Sequence, residues 1–145
     1  MDSPHTVAER TAWLRRQQAA GHPVLVATDG TGDVVGWASY GHFRDVDRWP
    51  GYRFTVEHTV HVREDRWGSG VGRLLMDELL DRARRAGNRV MVGAVTGENT
   101  ASIRFHERLG FVEVASMPEV GVKLGRWLGL VLLQRRLHDG PPPPG

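Results

Sequence analysis

Three glycines stand at alternate positions in the run RWGSGVGRLL, and residues typical of helices follow them directly. Glycine is favoured where the backbone takes a positive φ or must lie close to another group. The first N–H groups of a helix have no acceptor within the helix, and they lie at the positive end of its dipole. Gly68, Gly70 and Gly72 therefore predict a phosphate-binding loop whose backbone amides a phosphate can approach. Close packing of strand and helix would explain one of these glycines, but hardly all three.

The loop differs from two well-known phosphate-binding motifs. No Gly-Lys-Ser/Thr follows it, which excludes a Walker A loop. Its Gly-x-Gly-x-Gly spacing, with no acidic residue at the end of the next predicted strand, is not typical of a dinucleotide-binding fingerprint. The loop alone therefore does not identify its ligand.

A carboxylate stands within the β-branched run FTVEHTVHVR, residues 54–63, which predicts a strand. Alternation places four side chains on one face of that strand: Thr55, Glu57, Thr59 and His61. A carboxylate in the middle of an otherwise apolar strand is expected to be either paired or functional. An ion pair with an arginine such as Arg53 and a role in chemistry are therefore the two interpretations of Glu57.

The composition limits the available chemistry. The chain has 145 residues and no cysteine, which excludes disulfides, thiolate metal sites and cysteine nucleophiles. The sequence contains no HExxH pattern that would indicate a metal site. The scattered His58 and His61 are weaker catalytic candidates than Glu57. The net charge of +2 comes from interspersed charges, which does not predict a nucleic-acid surface. No apolar run reaches a membrane-spanning length and no secretory leader is recognisable, so we expect no membrane span and a cytoplasmic location.

Periodicity and glycine punctuation predict a single α/β domain over residues 1–139, followed by a disordered proline-rich tail over residues 140–145. Helices are predicted over residues 7–20, 70–86 and 99–109. Strands are predicted over residues 24–28, 34–40, 54–63, 89–95, 111–116 and 124–136. This alternation predicts a sheet with its ligand at the carboxyl ends of the strands.

Taken together, the glycine loop and the later run NTASIRFHERLGF resemble the GNAT superfamily of N-acetyltransferases. The runs TVEHTVHV, SYGHFR and EVGVKLGRWL resemble its phosphinothricin and methionine sulfoximine acetyltransferase branch, and the match extends from about Pro4 to Leu137. The resemblance implies a mixed, largely antiparallel twisted sheet flanked by helices. It also implies acetyl-CoA as donor, no metal, the primary amine of a small amino acid or analogue as acceptor, and a homodimer.

The resemblance implies which residues bind the cofactor. The loop amides would hold the CoA pyrophosphate. Backbone amides of the preceding strand near Val60 and Val62 would hold the acetyl carbonyl and the pantetheine arm, and Asn99 of the helix over residues 99–109 would add a hydrogen bond to pantetheine. The residues so implied are Val60, His61, Val62, Gly68, Ser69, Gly70, Val71, Gly72, Arg73, Asn99 and Ser102. Asn99 is also expected to be the N-cap of its helix, and the two roles can coexist.

Two catalytic roles and one acceptor pocket follow from the same resemblance. Glu57 would be the general base on the ammonium, with a pKa raised by partial burial. His106 would protonate the leaving thiolate, unless it is a packing histidine. Phe43, Arg44 and Arg53 would meet the acceptor. The two arginines suit this role because a guanidinium binds the carboxylate of an amino acid. For either arginine the alternative is a solvated surface position.

Three features depart from the pattern of the family. Trp67 stands where the loop usually has Gln or Arg, and His106 stands where many members have Tyr. The chain is also expected to lack the usual first strand and helix. A shortened, catalytically weak acyl-CoA-binding module is therefore the alternative function.

Overall fold

Three α-helices and six strands alternate along residues 7–144, the part of the chain that this computed structural model describes. The helices are α1 (Val7–Ala19), α2 (Val71–Arg85) and α3 (Thr100–Arg108). The strands are β1 (Val24–Thr28), β2 (Val34–His42), β3 (Thr55–Val62), β4 (Val90–Thr96), β5 (Val112–Lys123) and β6 (Arg126–Arg136). Every one of these elements was predicted from the sequence, most of them to within two residues at each end.

The strands form one sheet in the order β1-β2-β3-β4-β6-β5. Each neighbouring pair is antiparallel except β3 and β4, which are parallel and are joined by α2. A parallel pair needs such a crossover, whereas antiparallel neighbours can be joined by short turns. The prediction of a mixed, largely antiparallel sheet with helices packed on it is confirmed.

The core lies between α2 and the sheet. Four residues at helical spacing on α2 are buried: Leu75, Met76, Leu79 and Ala83. They pack against strand residues such as Val56, Met91 and Leu133, which are at most 1% exposed. The apolar stripe of α2 thus fixes where the glycine loop ends relative to the sheet.

The ladder between β3 and β4 is short. It joins only Thr55 to Val90, Val56 to Met91 and Glu57 to Val92. Beyond Glu57, β3 stays paired with β2 as far as Val62, while β4 stays paired with β6 as far as Thr96. The two strands therefore separate, and α2 and α3 begin beyond the two carboxyl ends that border the gap.

The predicted strand over residues 111–116 is too short, because β5 continues to Lys123. The pairing register with β6 shifts between Met117 and Gly121, a bulge that contains Pro118 and the positive φ of Glu119. A proline normally ends a strand but is tolerated at a bulge on an edge strand. The hairpin then turns at Leu124 and Gly125, which both have positive φ.

Both ends of the described range, residues 7–144, contact the sheet or the loop that leads into β4. On α1, Trp13 packs edge-on against Trp37, and the Gln17 side chain donates to the Tyr40 carbonyl at 3.0 Å. At the other end, Arg89 donates to the carbonyl oxygens of His138 and Gly140. The domain predicted over residues 1–139 and the tail predicted over residues 140–145 stay predictions; residues 1–6 and 145 lie outside the described part of the chain.

Candidate active site

Glu57 occupies the last paired position before β3 and β4 separate, between Gly41 of β2 and Val92 of β4. Its side chain is half-buried, and burial raises the pKa of its carboxyl group. Within residues 7–144 the carboxylate has no ion pair. The alternative partner Arg53 instead donates to the Pro50 carbonyl at 2.9 Å. The structure therefore does not support the ion-pair interpretation of Glu57.

Beyond Glu57, every second residue of β3 directs its backbone N–H and C=O groups towards the gap between β3 and β4. The Phe43 N–H donates to Thr55 and the Arg63 N–H donates to Val35, so odd-numbered residues of β3 direct their backbone groups towards β2. The even-numbered Val60 and Val62 therefore direct theirs towards the gap, as a contact with pantetheine would need. His61 directs its backbone towards β2, so only its side chain is left for the cofactor contact predicted for it.

The glycine loop owes its glycines to two causes. Gly68 and Gly70 have φ values of +78° and +92°, and no atom lies within 4 Å of a Cβ built on either. A Cβ on Gly72, by contrast, would lie 3.2 Å from Cζ of Phe105 and 3.5 Å from Cγ2 of Val62. Packing therefore explains one of the three glycines, Gly72, as the sequence allows, and the N–H group of Gly72 stays a predicted phosphate donor.

The start of α2 nevertheless fits an anion. Gly70 is its N-cap, and no side chain caps the helix there. No backbone acceptor within residues 7–144 takes the N–H groups of Val71, Gly72 and Arg73. Three free donors at the positive end of a helix dipole are what a CoA pyrophosphate requires.

The other loop side chains bind within the protein. The Ser69 hydroxyl donates to the Arg66 carbonyl, and the Arg73 guanidinium lies 3.7 Å from Asp77. Trp67, at the position where the sequence departs from the resemblance, donates from Nε1 to the Val62 carbonyl at 2.8 Å. The loop is therefore tied to the end of β3.

Asn99 is the N-cap of α3, as predicted, and its Oδ1 accepts from the Ser102 N–H at 3.1 Å. One turn later the ring of His106 returns to the same residue, with Nδ1 2.7 Å from the Ser102 carbonyl oxygen. The two predicted cofactor residues Asn99 and Ser102 thus belong to one short hydrogen-bonded turn, and His106 is attached to it.

His106 does not lie alone, because its Nε2 is 3.0 Å from Nε2 of His58. His106 is 3% exposed and His58 is 7% exposed, and Phe111 packs edge-on against both rings. In the sequence His58 is one of several scattered histidines, and no motif predicts this pair. The signal available was alternation, which places His58 on the buried face of β3, opposite to Glu57.

The predicted acceptor residues lie at the other end of β3. The Arg44 guanidinium is 4.7 Å from the ring centroids of both Trp49 and Tyr52, and no carboxylate pairs with it among the described residues. The Arg53 guanidinium lies over the Phe54 ring. Phe43 is 36% exposed directly after β2. Arg44 is therefore the better placed of the two arginines to bind a carboxylate.

Comparison with known proteins identifies the family. The model of the acetyltransferase (GNAT) family matches residues 1–111. The chain belongs to this family. It is 46% identical over 136 residues to an L-methionine sulfoximine/L-methionine sulfone acetyltransferase of Pseudomonas aeruginosa, covering 94% of this chain and 77% of that protein.

Solved structures agree with the GNAT assignment. The chain superposes with a TM-score of 0.92 on yncA of Salmonella typhimurium, solved with its cofactor acetyl-CoA, at 44% identity over 99% of this chain and 81% of that one. A GNAT superfamily phosphinothricin acetyltransferase from Sinorhizobium meliloti in complex with acetyl-CoA gives 0.89 at 34% identity, covering 95% and 73%. The family and branch resemblance drawn from the sequence motifs is confirmed.

Two negative observations belong to the described residues alone. Within residues 7–144 no helix is long and apolar enough to cross a membrane. In the same range no three side chains of the metal-binding types converge on a common point.

The buried histidine of this GNAT domain predicts a loss of stability in acid. Burial first, and then the repulsion that a proton on His58 would meet from a protonated His106 ring, lowers the pKa of His58 to about 3, whereas an unfolded histidine titrates near pH 6.5. The unfolded chain therefore binds the proton first, and stability falls as the pH falls below about 6.5. Between pH 7 and pH 5 we expect His58 to lower the free energy of unfolding by about 2 kcal/mol.

Urea unfolding at both pH values measures this effect. Over the same pH interval, the free energy of unfolding of His58→Gln should fall by about 2 kcal/mol less than that of the wild type. The variant His138→Gln, near the end of the chain, should follow the wild type. An unchanged pH dependence in His58→Gln would mean that His58 is not buried as a neutral group.

Proposed function

We propose that this protein is an N-acetyltransferase that moves an acetyl group from acetyl-CoA to the primary amine of a small amino acid or analogue, of the phosphinothricin or methionine sulfoximine type. The observation that carries the proposal is the position of Glu57, a half-buried carboxylate without an ion-pair partner in residues 7–144, at the point where β3 and β4 separate. The activities named for its relatives support the enzyme over a catalytically weak binding module.

The residues that would hold the cofactor surround this gap. The N–H groups of Val71, Gly72 and Arg73 would bind the pyrophosphate. The backbone groups of Val60 and the N–H of Val62, whose carbonyl already accepts from Trp67, would bind the pantetheine arm. Acetyl-CoA, when bound, supplies an acetyl thioester that an amine can attack. Because the sequence contains no cysteine, direct transfer within a ternary complex is the mechanism that we propose.

Glu57 is proposed as the base that makes the amine reactive. An amino acid carries an ammonium group at neutral pH, and only the free amine has the electron pair that attacks a carbonyl carbon. A carboxylate with a raised pKa takes this proton, directly or through water, more readily than an exposed one. Arg44 would hold the acceptor carboxylate from its position between Trp49 and Tyr52.

The acid role of His106 needs a rearrangement that the base role of Glu57 does not. Both ring nitrogens of His106 are within hydrogen-bond distance of Ser102 or His58, and the ring is almost inaccessible. One of these bonds must break before His106 can reach a sulfur atom. A thiolate leaves readily near neutral pH, so the proposed reaction does not depend on this step.

A homodimer is also proposed, on the strength of an exposed apolar surface. Within the β5–β6 hairpin, Val122 and Trp127 are directly paired, and they are 66% and 67% exposed. Leu124 at the turn is 87% exposed, and Val120 is 52% exposed. Contiguous apolar side chains at an open sheet edge mark an interaction surface. The cytoplasmic location stays a prediction.

Replacing Glu57 by Gln should separate catalysis from binding. We expect turnover to fall by roughly 10²- to 10⁴-fold, which is what a general base contributes, while CoA affinity stays the same. The acidic limb of the wild-type rate profile should lie above the usual range of a glutamate, because burial raises the Glu57 pKa, and it should vanish in the variant. Turnover and its pH profile are measured by following thiol release from acetyl-CoA, with free amino acids and their sulfoximine and phosphinic analogues as acceptors.

Glu78→Gln is the matched control, because it makes the same exchange on the exposed surface of α2. It should leave turnover and the rate profile unchanged. Full activity in Glu57→Gln, with the acidic limb retained, would assign the base to another group.

Replacing Gly70 by Asp should weaken CoA binding by well over tenfold, because a carboxylate then faces the pyrophosphate. The variant Gly70→Asn accepts the same positive φ without adding a charge, so its affinity for CoA should fall by less. Gly87→Asp carries the same charge at a φ of +89° beyond the opposite end of α2 and should bind CoA normally. Calorimetry with CoA distinguishes these cases; unchanged affinity in folded Gly70→Asp would place the phosphates elsewhere.

Replacing Val122 by Glu should convert a dimer into a monomer, because the interface would bury an unpaired charge. Light scattering coupled to size exclusion measures the mass of each form. Lys123→Gln changes the neighbouring side chain and should remain dimeric. A monomeric wild type would refute the proposed dimer without bearing on the acetyl transfer.

A further inference from the structure

The His58–His106 pair is an edge-to-edge hydrogen bond rather than a stack. The ring planes are inclined by only 25° and their centroids are 5.0 Å apart, whereas the two Nε2 atoms are 3.0 Å apart. The pair occupies the space above Gly93 of β4. A Cβ on Gly93 would lie 2.9 Å from Nε2 of His58 and 2.9 Å from Cδ2 of His106. A glycine is therefore needed at this position if the two rings are to meet.

The contacts fix the position of each proton in the neutral pair. A carbonyl oxygen can only accept, so His106 carries its proton on Nδ1, facing Ser102. Its Nε2 is then an acceptor, and the facing Nε2 of His58 must be the donor. Nδ1 of His58 is left as a bare lone pair, and it is the one buried side-chain polar atom without a partner among the described residues.

A second proton on the pair would be costly. It would have to lie on Nδ1 of His58, where an N–H would be buried without an acceptor, or it would break the bond between the rings. Tyr40 faces His58 across the β2–β3 ladder, and no carboxylate contacts either ring within residues 7–144. The surroundings thus favour the neutral pair with a single arrangement of protons.

The pair connects the two walls of the proposed active site. On one side His58 directly follows Glu57 in β3, ahead of Val60. On the other side His106 is bonded to Ser102, whose N–H caps α3 through Asn99. The β3–β4 ladder ends at Glu57. Within residues 7–144 the pair is the side-chain hydrogen bond that joins α3 to the part of β3 beyond Glu57, and Phe105 of α3 adds an apolar contact beside Gly72 and Val62.

We propose that His58 is a positioning residue, which donates to His106 and thereby holds the start of α3, with Asn99 and Ser102, against the open part of β3. This inference rests on the proposed function, because it concerns the cleft in which that function places the cofactor. It assigns His106 a fixed place in the framework of the cleft and gives His58 a role in cofactor affinity without contact to the cofactor.

Nitrogen-15 NMR of the histidine rings in the wild-type protein at pH 7 tests the pair directly. His58 should be the neutral Nε2–H form and His106 the neutral Nδ1–H form, and the assignment comes from loss of signals in single variants. The same spectra should show a coupling or exchange-protected proton between the two Nε2 atoms. A charged ring, or His58 protonated on Nδ1, overturns the proposal.

Two variants of similar size separate positioning from simple packing. His58→Gln keeps an N–H donor for Nε2 of His106, whereas His58→Leu removes it and leaves a buried acceptor unpaired. CoA affinity, measured by calorimetry, should fall roughly three- to tenfold in His58→Leu and stay within about twofold of the wild type in His58→Gln. His138→Gln serves as a histidine control. Equal affinities in the wild type, the Leu variant and the Gln variant overturn the proposal, as does an equal loss in both variants.

A double-mutant cycle tests that His58 acts through His106. In a His106→Leu background, His58→Leu should have no further effect on CoA affinity, because the bond is already absent. A full additional loss would overturn the proposal. None of these measurements uses an acceptor: a protein that binds CoA with the expected ring protonation but acetylates no amine would refute the proposed function and leave this inference standing.

Discussion

The separation of β3 and β4 beyond Glu57 is the constraint on which the site depends. In a continuous parallel ladder the backbone groups of Val60 and Val62 would pair with β4, because buried N–H and C=O groups rarely remain unpaired. Each strand keeps its outer partner along the gap, so the sheet does not lose its cohesion there. The fold thus presents main-chain donors and acceptors at an open cleft, while each strand that borders the cleft stays paired on its outer side.

Burial shifts the pKa values of two adjacent residues at this point of β3 in opposite directions. Glu57 and His58 point to opposite faces of β3, and burial acts on the charged form of each. For a carboxyl group this raises the pKa and favours accepting a proton near neutral pH, whereas for an imidazole it lowers the pKa and keeps the ring neutral. One residue is therefore suited to proton transfer and its neighbour to a fixed hydrogen bond, although both lie at the same point of the sheet.

Most of the fold can be predicted from the sequence, because the strongest sequence signals act within single helices and strands. The stripe from Leu75 to Ala83 defines α2, and Asn99 starts α3 by an interaction within one turn. The predicted end of β5 was wrong, because the continuation of this strand past Pro118 depends on its pairing with β6, and no local pattern encodes a bulge. Glu57 was identified from one carboxylate in an apolar strand. The His58–His106 pair was not, since its members are 48 residues apart and meet only over Gly93.

The glycine loop shows how a binding site can be set by contacts that have nothing to do with its ligand. Gly68 and Gly70 permit a backbone that other residues resist, and Gly72 admits Phe105 of α3. The indole of Trp67 is bonded to the end of β3 at Val62. These contacts define the direction of the free N–H groups before any phosphate arrives, so binding need not order the loop and its cost in conformational entropy is small. Trp67 is thereby a structural anchor at a position where the family usually has a polar side chain, and the proposed phosphate recognition would rest on the main chain, which a change of side chain at this position leaves in place.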